Sequence, residues 1–76
     1  MNEILEYVAR HLVDAPDEVE VTAVEGERSV ILQLRVAGDD MGKVIGKGGR
    51  TARAIRALMR AAGSHQGITA VVEIVG

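Results

Sequence analysis

Lys43, Gly46, Lys47, Gly48, Gly49, Arg50 and Arg53 crowd into one short stretch, and from Met41 to Arg60 there is no acidic side chain. That stretch, MGKVIGKGGRTARAIRALMR, carries four glycines, two lysines and four arginines in a chain whose formal net charge is −2. Glycines permit backbone conformations with positive φ and let another backbone approach without a Cβ in the way. A helix beginning near Arg50 would turn its free N–H groups and the positive end of its dipole back toward Lys47. The chemistry this suits is the holding of an anion such as phosphate. One glycine is enough for a turn between two helices; Gly46 and Gly49 flanking a lysine and a further glycine ask for more.

Two other phosphate loops are excluded by spacing. A Walker loop needs one more residue between its first glycine and its lysine than Gly42 and Lys47 allow, and then Ser or Thr where Gly48 stands. The dinucleotide fingerprint needs a strand leading into the loop and a different glycine spacing.

Catalysis finds no constellation. The chain has no cysteine, which excludes a disulfide framework, a thiolate zinc site and a cysteine nucleophile. His11 and His65 stand apart from any nucleophile or set of metal ligands, and the acids read as helix-surface or alternating strand positions. No catalytic residue, metal site or cofactor is expected.

The elements that must position the basic stretch follow from periodicity. The chain is 76 residues long, 47% hydrophobic, with Tyr7 as its only aromatic residue, so one small domain held by aliphatic packing is expected. Ile4, Leu5, Val8 and Leu12 recur at helical spacing between Asn2 and Asp14, and Pro16 breaks that helix. EVEVTAVE and SVILQLRVA alternate as two strands joined through EGER into a hairpin. Asp39 and Asp40 stand where a helix N-cap would, opening a short helix that ends at the glycines. A further helix should run from Arg50 to Gly63, with Arg50, Arg53, Arg56 and Arg60 facing solvent and Ile55, Leu58, Met59 and Ala62 opposite. GITAVVEIV is the last strand.

The order is therefore α-β-β-α-α-β, an α+β fold. Two helices between the second and third strands give the length of a parallel crossover, so the sheet should be three-stranded and mixed, with all helices on one face. Val24, Ile31, Val71 and Val75 alternate out of phase with the core positions and would leave the outer face partly apolar. Charge is unevenly spread: residues 1–40 carry three arginines against ten acids, residues 41–63 six basic residues and no acid.

VIGKGGRTARAI resembles the VIGxxGxxIxxI signature of KH domains, whose GxxG loop between two helices clamps about four nucleotides of single-stranded nucleic acid. The element order is that of the type II KH arrangement. Nearly the whole chain, including LVDAPDEVEV and DDMGKVIGKGGRTARAIR, is similar to the small bacterial RNA-binding proteins of the KhpA family. The resemblance implies a single KH domain over residues 1–76, with its GxxG loop at 46–49. It implies a site in which Gly46, Lys47, Gly48 and Gly49 hold phosphates, while Lys43, Arg50 and Arg53 add positive potential. Val44 and Ile45, with the edge of the second strand, would form an apolar wall for the bases. Ala52 takes a slot that the KH pattern usually gives to isoleucine, and Ile55 the next.

Further expectations come from the same resemblance: a homodimer, and a heterodimer with a larger RNA-binding protein of the KhpB or Jag type. It also implies an RNA chaperone or post-transcriptional regulator linked to cell-wall homeostasis and cell elongation. A cytoplasmic protein without a membrane segment is expected, because the N-terminus opens on Glu3 and Glu6 rather than a basic, then apolar, run. Two alternatives stay open: a protein-interaction module without nucleic-acid activity, and a ribosome-associated RNA module.

Overall fold

In the computed structural model, which describes all residues from Met1 to Gly76, the order α-β-β-α-α-β is found as expected. Helix α1 spans Asn2–Leu12, and Pro16–Glu18 forms a single 3₁₀ turn before strand β1, Glu20–Glu25. The chain reverses through Gly26, whose N–H donates to the carbonyl of Ser29, into β2, Ser29–Arg35. A second 3₁₀ turn, Gly38–Asp40, leads to the five-residue helix α2, Met41–Ile45. A third, Lys47–Gly49, joins it to α3, Arg50–His65, and β3, Thr69–Val75, closes the chain.

The sheet order is β1-β2-β3, with β1 antiparallel and β3 parallel to the central β2. Val30, Leu32 and Leu34 of β2, with Ala70 and Val72 of β3, face the helices. They meet Leu5 and Ala9 of α1, Val44 of α2, and Ile55 and Met59 of α3 in one core cluster. Every large side chain there is aliphatic or Met, and each full burial of that kind is worth about 1.5–3 kcal/mol. Their alternate neighbours on β2, Ile31, Gln33 and Arg35, point to the uncovered face. Val24, Ile31 and Val71 lie side by side across the three strands there, all exposed, so the outer face is apolar along one row.

Three expectations about the helices need correction. α1 stops at Leu12, where Val13 turns extended, and its buried pair is Leu5 and Ala9; Ile4 and Leu12 are exposed. α1 meets the core through Leu5 and Ala9 with Val8 partly buried against it, while Ile4, Tyr7 and Leu12 stay outside. α3 does not stop at Gly63 but runs on to His65, and the turn that follows is made by Gly67 at φ 72°. Gly63 is buried inside the helix because a Cβ there would fall 2.6 Å from the carbonyl oxygen of Ile68 and 3.2 Å from the Ala70 Cβ. Its role is close helix–strand approach, which only glycine allows. Leu58, expected inside, is 45% exposed; the buried stripe is Ala52, Ile55, Met59 and Gly63, one straight line along the helix. No helix is long and apolar enough to cross a membrane.

Candidate nucleic-acid interface

The loop between α2 and α3 explains its own glycines. Gly46 sits at φ 76°, ψ 170°, Gly48 at φ 65°, ψ 19°, and Gly49 at φ 79°, ψ 13°, so three of the four loop positions lie in the left-handed half of backbone space. Lys47 is the one loop residue with an ordinary backbone and the one with a side chain. Gly46 has a second constraint, since a Cβ would come within 2.8 Å of the Thr51 backbone nitrogen and closer still to its hydroxyl. Around Gly48 nothing lies within 4 Å of a Cβ, so that position is open to solvent.

Hydrogen bonds fix the loop from both sides. The Gly46 N–H donates to Gly42 O at 2.9 Å, ending α2, and the Gly49 N–H donates to Gly46 O at 3.1 Å. The Arg50 N–H donates to Lys47 O. Two amides at the start of α3, those of Gly49 and Arg50, are thereby occupied, and the positive end of the α3 dipole lies behind the loop. Arg53 Nη1 donates to Gly48 O at 3.0 Å and braces the loop while its guanidinium stays exposed. Lys47 and Arg50 are exposed, and neither lies within ion-pair distance of a carboxylate.

Lys43 is placed differently. Its ammonium contacts Asp14 Oδ2 at 2.8 Å and Asp40 Oδ1 at 3.5 Å, so its charge is already matched by two carboxylates. The hydrogen bond and charge of Asp14 raise its pKa above the usual lysine value, with Asp40 adding to the effect. Asp40 occupies the N-cap position of α2 without making the cap bond. Its carboxylate is buried and turned backwards: Oδ1 accepts the N–H of Asp14 at 3.3 Å and Oδ2 that of Ala15 at 3.0 Å. Burial works to raise the Asp40 pKa, but the two backbone N–H groups and the Lys43 ammonium outweigh it and hold the carboxyl below its ordinary range. Sequence periodicity marked Asp40 as a cap; its partners are 25 and 26 residues away along the chain.

The apolar wall is also redrawn. Val44 is fully buried and belongs to the core, while Ile45 is 38% exposed beside the loop. Ala52 is buried too, so its small size bears on packing under α3 rather than on an exposed wall. β2 is the central strand with a neighbour on each side, so the free edge beside α3 belongs to β3. Of the predicted residues, the fold gathers Gly46, Lys47, Gly48, Gly49, Arg50 and Arg53 at one corner with Ile45; it ties Lys43 to α1's end and removes Val44 from the surface. Arg56, left aside by sequence reasoning, donates from Nε to Val72 O at 3.3 Å on that β3 edge. Its place one turn beyond Arg53 was the only signal. No group of His, Asp and Glu is placed to hold a metal ion.

Comparison with known proteins bears on the same residues. A family profile described as "KhpA/KhpB, KH domain" matches residues 2–74. The chain is 55% identical over 75 residues to a protein of Clostridium acetobutylicum named RNA-binding protein KhpA, covering 99% of this chain and 100% of that one. It is 51% identical over 75 residues to the protein of the same name from Clostridium perfringens, again over 99% and 100%. The match to the namesake in Aquifex aeolicus is 47% over 74 residues, covering 97% of this chain and 94% of the relative. No solved structure matches.

Proposed function

The chain belongs to the KhpA/KhpB KH-domain family, and on that premise we propose that residues 1–76 act as one KH domain binding single-stranded RNA through the Gly46–Gly49 loop. The observation that carries the reading is the loop itself: three glycines with positive φ lift a single unpaired lysine clear of the fold, at the head of a 16-residue helix. The amides of Lys47 and Gly48 and the Lys47 ammonium hold successive phosphates, with Arg50 and Arg53 supplying positive potential. Ile45 offers aliphatic surface to a base. Lys43 acts through α2, as a positioning residue, rather than on RNA.

The loop itself carries no ring, and Tyr7, the only Phe, Tyr or Trp, is on α1, so the loop offers no base stacking of the kind worth about 1–3 kcal/mol per base. Binding by one domain is therefore weak, salt-sensitive and poorly selective for sequence. Joining sites raises such affinities, which favours action as a homodimer or beside a larger KhpB or Jag-type partner. The family resemblance supports a cytoplasmic RNA chaperone or post-transcriptional regulator linked to cell-wall homeostasis and cell elongation. Like the relatives named as RNA-binding proteins, the chain is not read as an enzyme.

The test is binding of a fluorescent single-stranded RNA pool, at low and moderate salt, to the protein and to Lys47→Asp/Gly48→Asp, with circular dichroism as the folding control. Loss of binding in the folded variant supports the loop as the RNA site. Equal binding by the variant refutes it and favours RNA binding through another surface; no binding by the parent at low salt refutes it and favours the protein-interaction reading.

A further inference from the structure

The sheet has two free edges, and they are finished differently. At β3 the Val72 carbonyl is already taken by Arg56 Nε at 3.3 Å, so that edge is interrupted. At β1 the backbone is open. The Gly26 N–H bonds to Ser29 O, which marks these two residues as a hydrogen-bonded pair of the β1–β2 ladder. Such pairs alternate in an antiparallel ladder, so Val24, Thr22 and Glu20 bond to β2 while the N–H and C=O groups of Val21, Ala23 and Glu25 point away from the sheet. No side chain or loop of the molecule bonds to those groups. β1 also lacks the proline or lysine that commonly guards an exposed edge.

Charge and shape then select the occupant. Asp17, Glu18, Glu20, Glu25 and Glu27 lie in or beside β1, and residues 17–27 contain no lysine or arginine. These carboxylates repel RNA, and a second copy of the same edge would set the cluster against itself. A cationic strand is attracted. Val21, Ala23 and Glu25 turn their side chains to the helix side, and beside Ala23 and Glu25 a hollow of about 290 Å³ opens toward the start of α1. Glu27, Ser29 and Gln66 also line it, and the Met1 ammonium at its rim is paired with Glu3 at 3.5 Å. A lysine or arginine side chain from an added strand finds carboxylates and an amide there. On the other face, a β-branched residue placed next to Val24 would lengthen the exposed apolar row of Val24, Ile31 and Val71.

We propose that β1 is a docking edge for an extended basic segment of a partner protein, which adds to the three-stranded sheet as a further strand. Its lysine or arginine side chains face the helix side and its β-branched ones the outer face. Backbone bonds to Val21, Ala23 and Glu25 supply affinity, and the acidic hollow supplies selection. The proposal stands without the RNA reading, because no residue of the glycine loop takes part.

The experiment measures fluorescence anisotropy with a labelled peptide as long as β1 in which valine and lysine alternate, and with a counterpart carrying glutamate for lysine. The proteins compared are the parent, Ala23→Pro and Glu25→Lys/Glu27→Lys, each checked by circular dichroism. Proline at position 23 removes one outward N–H, where an edge strand tolerates it; the charge reversal leaves the backbone as it is. The parent should bind the lysine peptide and not the glutamate one, and amide exchange at Val21, Ala23 and Glu25 should slow on binding. Glu25→Lys/Glu27→Lys should weaken the lysine peptide about tenfold or more and take up the glutamate peptide instead. Ala23→Pro should weaken the lysine peptide without reversing the preference. A parent that binds neither peptide overturns the proposal. So does a lysine peptide held equally by folded Ala23→Pro, or bound without slowed exchange at the edge, since either reduces the contact to diffuse charge attraction. Where Ala23→Pro does not fold, the exchange pattern and the charge reversal decide. Concentration-dependent sedimentation of the parent that slows the same amides assigns the edge to a second copy and overturns the proposal too.

Discussion

Lys43, inside α2, and Lys47, in the loop four residues on, have opposite fates. Lys43 is drawn inward between Asp14 and Asp40; Lys47 is carried outward by glycines and meets no carboxylate. Charge counting along the sequence treats the two alike. The difference lies in the backbone beneath them: ordered helix at one, left-handed turns at the other. A basic residue becomes available to a polyanion when the fold withholds every internal partner, and here the glycines do the withholding.

Four changes test that contrast. The largest effect is expected from Lys47→Asp/Gly48→Asp, which should weaken RNA binding at low salt by more than about tenfold by replacing an attracting charge with two repelling ones. The fold should survive, because Gly48 has open space around it and aspartate tolerates the left-handed region better than most residues; anisotropy and circular dichroism check both halves. Next, Gly46→Ala forces a Cβ against Thr51 at a positive φ. Backbone strain of this kind costs about 1–3 kcal/mol, which should appear as a lower urea midpoint and as amide shifts confined to the loop and the start of α3.

A smaller loss is expected from Asp40→Asn. The carboxamide puts an NH₂ where one of the N–H donors of Asp14 and Ala15 already points, so Tm should fall at neutral pH. Because Asp40 has its pKa lowered in the fold, its contribution is fully present above the ordinary aspartate value. That contribution fades as pH drops through and below about 4. The parent should therefore lose Tm more steeply than the variant in that acid window. The smallest change belongs to Lys43→Gln, which removes a charge already matched by two carboxylates; RNA affinity should stay within about twofold, well inside the effect of a free phosphate-binding lysine. A loss at Lys43 as large as at Lys47 would erase the distinction between the paired lysine of α2 and the free one in the loop.

Element order, the mixed sheet and the loop were legible because each rests on local signals: alternation in EVEVTAVE and SVILQLRVA, the crossover length, and glycines closely spaced around a lysine. What could not be read depends on contacts distant in sequence. Asp14 lies 29 residues from Lys43, and no local pattern joins them. Which of Val44 and Ile45 is buried is decided by the face a five-residue helix turns to the core, not by their shared hydrophobicity. Gly63 looked like a helix stop because glycine commonly is one, and only the returning β3 shows why it sits inside. Leu58 and Ala52 exchanged places for the same reason, since α3 rests on β3 along one thin line.

Gly63 also sets a dimension. With a Cβ at that position 2.6 Å from Ile68 O, an alanine would wedge α3 away from β3 at the far end while the glycine loop stays fixed at the near one. The helix and the strand edge would splay like scissors pivoting at the loop. The width of the cleft where Arg56 reaches Val72 is thus gauged by an atom the protein lacks, some two turns away from the bond it protects.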